Sequence, residues 1–282
     1  MPQASSGVYH TLSEQEIAAL HARNLADLEA AAALQNTAAA LCPEEEKDDA
    51  AIPTEPQARQ KYIALQQQSF ALLYKVLCGE ELLWYAHHDP AADTAENGAM
   101  DLCRPLRSFL NRVDFLTSDY LVIGEHSIPG WLYTAVQPER LIFVLLHQLL
   151  LLWQKDLTMN TMELFAEKTD AEIRIDLTLR CDPEAETEPL PSLLPRQPLL
   201  CDEAAELTAR FCSLNHAKLM QHSAAGAVSC SIRIPAAGVL QPRLELHSDG
   251  CSVLTGNRNI YHAVLSALIP TEALLWGDAM VD

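Results

Sequence analysis

No stretch of this sequence is long and apolar enough to cross a bilayer, which takes about 20 residues. The longest greasy run, Leu141 to Trp153 in "RLIFVLLHQLLLLW", is only about 13 residues and is split by the pair His147 and Gln148. The opening "MPQASSGVYHTLSEQE" has no basic flank followed by an apolar core, so no signal peptide is expected and the chain is expected in the cytoplasm, off the membrane. Positive charge is scarce too. Against 38 acidic residues stand 19 basic ones, a formal net charge of −19, which repels phosphate backbones and anionic lipid surfaces. Nucleic acid is therefore not an expected partner. CxxC spacing is also missing. The eight cysteines are scattered, several of them inside apolar segments, a pattern that predicts reduced, buried thiols rather than a disulfide framework or a zinc site.

What is present is helix former and aliphatic bulk. With 49% hydrophobic residues over 282 positions the chain can build one large core or two small ones. From Ser13, "SEQEIAALHARNLADLEAAAALQNTAAALC" opens with a capping box (Ser13, Glu16) and repeats apolar residues at helical spacing. A solvated link, acidic from Glu44 to Asp49 and punctuated by prolines, follows. A second helical pattern then runs from about Gln57 to Tyr85. Two long helices joined by a short polar loop predict an antiparallel hairpin. A lone hairpin buries too little surface, so it is expected to pair with a second copy or pack on the rest of the chain.

Beyond the polar link "HHDPAADTAENGA" the pattern changes. "MDLCRPLRSFLNRVDFL" reads as an amphipathic helix, "YLVI" and "WLYTAV" as short strands, and "PERLIFVLLHQLLLLWQ" as a helix opened by Pro138. Two strands around a Thr169-Asp170 turn, a proline-rich loop, the helix "DEAAELTARFCSLN" and the strands "AKLMQHS" and "AVSCSIRIP" complete the region. Helices and strands interleave without the rhythm of a doubly wound fold. The predicted class is α+β: an N-terminal helical hairpin, then an α/β sandwich whose mixed sheet is backed by helices.

Two groups invite a sharper reading. His147 and Gln148 interrupt an apolar helix; burying either unpaired costs on the order of 1 to 3 kcal/mol, so partners are expected, and a hydrogen-bonded core position and a pocket edge fit better than a ligand role. His87, His88 and Asp89 with Cys78 form a conceivable metal set, set against the simpler role of helix-end histidines facing the macrodipole. No metal is expected.

The order of elements and two local stretches resemble the sensor histidine kinases, whose catalytic part is the Bergerat-type ATPase domain shared with gyrases and mismatch-repair ATPases. "VQPERLIFVLLHQLLLLW" looks like the family helix D-x-x-R-L-x-x-V-L-x-N-L-L-x-N-A, and "FCSLNHAKLMQHSAAGAVSCSIRIP" looks like the family's closing H-G-G and G-x-G strands. The likeness spans roughly Ile17 to Pro235. "NIYHAVLSALIPTEAL" is similar to a C-terminal extension of kinase-like proteins of gut clostridia. The resemblance implies three parts: a hairpin over 1–98 for dimerisation or phosphotransfer, a histidine kinase-like ATPase-type domain over 99–236, and an extension over 237–282.

It also implies where nucleotide contacts belong. The first family asparagine falls on His147 and the second, the magnesium ligand, on Leu151, which offers a hard cation no oxygen. The adenine-reading aspartate has its match in Asp182. The glycine-rich phosphate cradle falls on Asp202, Glu203, Ala204 and Ala205, where two carboxylates would repel a triphosphate and each Cβ would crowd it. The H-G-G turn falls on Asn215, His216 and Ala217, and of the G-x-G only Gly226 survives. In one frame the phosphoacceptor position is Ala19; in another it is His21, and a shift of two turns a helical side chain by roughly 200°.

Three functions follow from the resemblance. The first is a non-catalytic histidine-kinase-like protein, a pseudokinase binding a protein partner in a two-component-type pathway, expected as a homodimer without cofactor. The second is a histidine phosphotransferase using His21 toward a response regulator. The third is a divergent active sensor kinase that binds ATP and magnesium.

Overall fold

The computed structural model describes residues 12–42, 53, 55–87, 99–114, 121–130, 132–156, 158–169, 171–185 and 203–237, and the backbone of 115–117, 202, 243–246 and 252–255. The chain divides into two compact units, residues 1–89 with 192–203, and residues 90–191 with 204–282.

The first unit holds α1 (Glu14–Ala39) and α2 (Pro56–His87). Ser13 caps α1 as its sequence predicts: its Oγ accepts from Glu16 N–H, and the Glu16 carboxylate accepts from Ser13 N–H at 2.8 Å. The protected positions of α1 are Ile17, Leu20, Asn24, Asp27, Ala31, Leu34 and Ala38, spaced alternately by three and four. That is a heptad seam, whose small residues let the helices approach closely. The pairing is antiparallel. Asn24 Nδ2 donates to Glu80 Oε1 at 2.8 Å, Ser69 Oγ donates to Ala31 O at 3.4 Å, and the rings of His21 and His87 lie 6.4 Å apart. Gly79 faces Asn24 so closely that a Cβ there would lie 2.8 Å from Asn24 Cγ.

The second unit carries β1 (Met100–Asp101), α3 (Cys103–Thr117), β2 (Val122–Ser127), β3 (Tyr133–Thr134) and α4 (Pro138–Lys155). These are followed by β4 (Thr161–Lys168), β5 (Glu172–Arg180), α5 (Asp202–Leu214, of which the second unit holds the part from Ala204), β6 (Lys218–Ala224), β7 (Ala227–Pro235), β8 (Arg243–Leu246) and β9 (Ser252–Thr255). The main sheet has the order β2-β4-β5-β7-β6. The β2 and β4 strands run parallel and the other pairs antiparallel. This is the mixed sheet predicted.

Strand alternation decides which face is core. In β5, "EIRIDLTLR", Ile173, Ile175, Leu177 and Leu179 are fully buried, while Arg174, Asp176, Thr178 and Arg180 point the other way. Val228, Cys230, Ile232 and Ile234 of β7 continue the buried face. Against it, α4 packs on β5 and β7, and α3 packs on α4. Each buried aliphatic side chain contributes about 1.5 to 3 kcal/mol. Thr169 closes the β4–β5 turn, its Oγ1 accepting from Glu172 N–H at 3.1 Å.

Three elements depart from the reading of the sequence. "WLYTAV" yields only the two-residue β3, which pairs with β1 rather than joining the main sheet. The helix expected from Met100 starts at Cys103, because the Asp101 carboxylate accepts from Cys103 N–H at 2.9 Å and holds Met100 and Asp101 extended. The β8–β9 pair, inside the expected C-terminal extension, was not foreseen. Among the cysteines, Cys78, Cys103 and Cys230 are buried as expected, but Cys181 is exposed. Cys201 and Cys251, the acidic link at 44–49, and His88 and Asp89 of the conceivable metal set lie outside the described residues.

Candidate functional site

His147, Leu151, Asp182, Asn215 and Gly226, the positions that the resemblance sets at nucleotide contacts, all belong to the second unit. On α4, Pro138 occupies the first turn and Gln137 the cap, and the greasy run that follows is buried on most of its circumference. His147 is 2% exposed and stacks on Phe143, ring centroids 6.4 Å apart and nearly parallel. Burial alone pushes its imidazole down from the ordinary 6.5 to about 4, so at neutral pH the ring is uncharged. Gln148, 1% exposed, takes a hydrogen bond from Gln221 Nε2 at 2.6 Å. Gln221 Oε1 in turn accepts from Lys155 Nζ at 2.7 Å. The polar interruption of the apolar helix is thus satisfied within the fold. Leu151, one turn beyond His147 on the same side of the helix, is half-buried and offers no oxygen ligand. Of the positions at the start of α5 that the resemblance sets at the phosphate cradle, Ala204 is fully buried.

Asp182 is held by its own loop. Asn160 clamps it in both directions: Asn160 Nδ2 donates to Asp182 O at 2.7 Å, and Asp182 N–H donates to Asn160 Oδ1 at 2.8 Å. Asp182 Oδ1 accepts from Glu184 N–H at 2.9 Å, an Asx turn that occupies one carboxylate oxygen. The neighbouring Cys181 N–H donates to Gly226 O at 3.1 Å, so Asp182 and Gly226 lie at the same end of the sheet.

Gly226 itself serves the two-residue connection between β6 and β7. Ala224 and Ala227 pair across it, and only Gly226 in the turn is left-handed, with φ 74°. Asn215 sits at the other end of β6. Its Nδ2 donates to Phe211 O at 2.9 Å, capping α5, and His216 follows in the left-handed region at φ 51°. Ala217 N–H then donates to Cys212 O at 2.9 Å, closing a Schellman motif. Seven residues of β6 separate Asn215 from Gly226, about 20 Å at the rise of a strand. The fold therefore gathers Asp182 and Gly226 and leaves Asn215 apart from them. Gln221 and Asn160, which do most of the anchoring, were missed from sequence; an asparagine just ahead of a strand is the one signal that marked Asn160 as a turn former.

No protein-family model matches this chain, and no curated protein matches it. Similar solved structures are histidine kinases and their catalytic domains. A histidine kinase from Burkholderia phymatum is 15% identical over 80% of this chain and 100% of its own, with a TM-score of 0.39. The Acinetobacter baumannii histidine kinase AdeS is 12% identical over 68% of this chain and 90% of its own, with a TM-score of 0.39. A bacterial phosphotransferase is 13% identical over 79% of this chain and 98% of its own, with a TM-score of 0.36. Likeness of this size carries no weight for chemistry, which rests on the contacts above.

In the first unit, His21 is exposed on α1, two turns from the N-terminus of the helix rather than at its middle. His87 Nδ1 lies 2.7 Å from Leu83 O, so that ring is engaged by its own helix end. Among the described residues no three His, Cys, Asp or Glu side chains converge on a metal-sized site.

Proposed function

We propose that this chain is a non-catalytic histidine-kinase-like protein that acts by binding a protein partner, a response regulator or a kinase, in a two-component-type pathway. One observation carries the reading. The residues that match nucleotide contacts are either engaged in holding their own fold or have the wrong chemistry: His147 is a buried neutral ring, Leu151 has no ligand atom, Asp182 closes an Asx turn, Asn215 caps a helix and Gly226 makes a hairpin. A ligand that binds only the folded state raises stability by mass action, by about 2.7 kcal/mol at a hundred times its Kd. Millimolar MgATP is accordingly expected to leave the Tm unchanged. A saturable rise would overturn the reading and favour the divergent active kinase.

Dimerisation belongs to the same proposal. Leu25 and Leu28 on α1 are 60% and 43% exposed, and Leu73 on α2 is 38% exposed, an apolar strip that a second helix pair would cover. Light scattering at micromolar concentration is expected to give twice the chain mass; a monomer would remove this part. Cytoplasmic residence fits the finding that no helix among the described residues is long and apolar enough to cross a membrane.

The exposure of His21 supports a second reading, phosphotransfer without ATP. A response regulator phosphorylated by acetyl phosphate would then pass its phosphoryl group to His21, giving an acid-labile adduct lost in His21→Gln. Absence of label on the wild-type chain with each regulator of the host would dismiss it.

A further inference from the structure

The sheet face turned away from the helices carries a charge arrangement that folding alone disfavours. In the register of β5, β7 and β6, Arg174 lies opposite Arg233, and Arg233 opposite Lys218. Three cations thus stand side by side in a chain of net charge −19. Like charges directly opposite in a sheet repel. The outer two are answered: Arg174 Nε meets Asp176 Oδ2 at 2.8 Å, and Lys218 Nζ meets Glu172 Oε1 at 3.5 Å. Arg233, in the middle, meets no carboxylate among the described residues, and its Nε is shielded from solvent with no acceptor.

Two positions along the same strand and on the same face stands Ser231. It is 5% exposed, and its hydroxyl meets no partner either. Arg233 and Ser231 both line one hollow of about 320 Å³ on this face; its two carboxylates, Asp176 and Glu163, are met by Arg174 and Arg180, which leaves Arg233 as its cation without a carboxylate among the described residues. Desolvated donors without acceptors are rare because they are costly. Here two of them, one charged, belong to residues that line the same hollow. An oxyanion in the hollow would pair with the Arg233 guanidinium, accept the hydroxyl proton of Ser231 and relieve the repulsion along the cation row. A neutral acceptor would take the hydrogen bonds but leave the repulsion in place, and a cation would add to it. The next row of the face places Phe165 and Met220 on either side of Asp176 and Ser231, so the group bearing the oxyanion meets apolar surface at both edges.

We propose that this hollow on the open face of the sheet is a binding site for the oxyanion of a small acid, carboxylate or phosphate, with Arg233 as charge partner and Ser231 as hydroxyl donor. The site is independent of the nucleotide-contact positions, which belong to α4, α5 and the loops at the strand ends. It does not depend on the chain being a pseudokinase.

The test is an NMR titration of the arginine Nε–Hε resonances of the full chain, with inorganic phosphate in one arm and succinate in the other, each against sodium chloride at equal ionic strength. The Arg233 resonance is expected to shift saturably in at least one arm, while that of Arg59 on α2 stays with the chloride control. Response to phosphate alone assigns a phosphate ligand, to succinate alone a carboxylate, and to both the shared oxyanion chemistry. Ser231→Ala is expected to weaken the response by about five-fold or more, the loss of one hydrogen bond to a charged group, and Arg233→Gln to abolish the accompanying shift of the Ser231 amide. An Arg233 shift no larger than that of the other arginines, or linear throughout, would mean screening only and would overturn the proposal. So would full affinity in Ser231→Ala. The Arg233→Gln variant also separates the two proposals: a MgATP response that persists in it lies in the helix-side cleft and counts against the pseudokinase reading alone, whereas one lost in it lies on the open face.

Discussion

His147 offers a sharp physical test, because burial is what moves its charge state. Its imidazole is 2% exposed, stacks on Phe143, and is pushed by desolvation from the ordinary 6.5 down to about 4. The sign follows from which state binds the proton. Below pH 6.5 the unfolded chain protonates this histidine and the folded chain does not, so stability is full above that pH and falls as pH drops toward 4. Between pH 7 and pH 5 the loss from this one group is about 2 kcal/mol. Many carboxylates titrate in the same range, so the quantity to measure is a difference. Urea unfolding of wild type and His147→Leu at both pH values is expected to show the wild type losing about 2 kcal/mol more than the variant, since the carboxylates are common to both. Directly, the His147 ring resonance is expected to titrate in the folded state near the low value and not near that of a free histidine. Parallel pH dependences for the two proteins, with a ring midpoint at the ordinary value, would refute the claim that this helix buries a neutral ring.

Three further outcomes test the packing and the turns. Gly79→Ala gains about 1 kcal/mol of helix propensity but drives a Cβ into Asn24, an overpacking that costs about 1 to 3 kcal/mol. The single substitution is expected to lower the Tm and the same substitution in an Asn24→Ala background to raise it; equal effects in both backgrounds would mean the two residues do not meet. His216→Gly is expected to raise stability by about 1 kcal/mol, because the left-handed backbone at φ 51° strains any Cβ, whereas Gly226→Ala should lower it by a similar amount; chemical denaturation measures both, and the opposite signs would contradict the turn geometry. Iodoacetamide on the folded chain is expected to modify Cys181 well before Cys103 and Cys230, whose thiols burial pushes up to about 12. Mass spectrometry of timed digests reads the order, and early labelling of Cys103 would show that its core position is wrong.

Elements with a single dominant local signal were legible. Ser13 and Glu16 announce the start of α1 through a capping box, Pro138 announces α4, and "EIRIDLTLR" alternates so regularly that its buried face is readable from the residue order alone. Signals failed where two local forces competed. "WLYTAV" has the composition of a strand, yet Thr134 Oγ1 donates to Pro235 O at 2.8 Å and ties the segment to the end of β7, so it extends only far enough to pair with β1. At Asp101 a side-chain oxygen captured the Cys103 N–H ahead of the helix pattern. Neither bond is visible in periodicity, since each depends on a partner supplied by the tertiary fold.

The site was harder to read for a related reason: sequence comparison assigns chemistry by column, while the fold assigns it by which hydrogen bonds remain open. Asp182 is set at an adenine contact by the resemblance, but Asn160 holds its backbone from both sides and Glu184 N–H donates to one of its oxygens. Gly226 is set in the G-x-G stretch by the resemblance, but its left-handed φ is used by a hairpin turn. Conversely, Ser231 and Arg233 match nothing in the resemblance, and nothing in "AVSCSIRIP" marks them beyond their position on the outward side of an alternating strand. Only the register, which sets Arg233 between Arg174 and Lys218, shows it to be the cation of that row that no carboxylate among the described residues answers. A column match that is already satisfied says less about binding than an unmatched donor that is not.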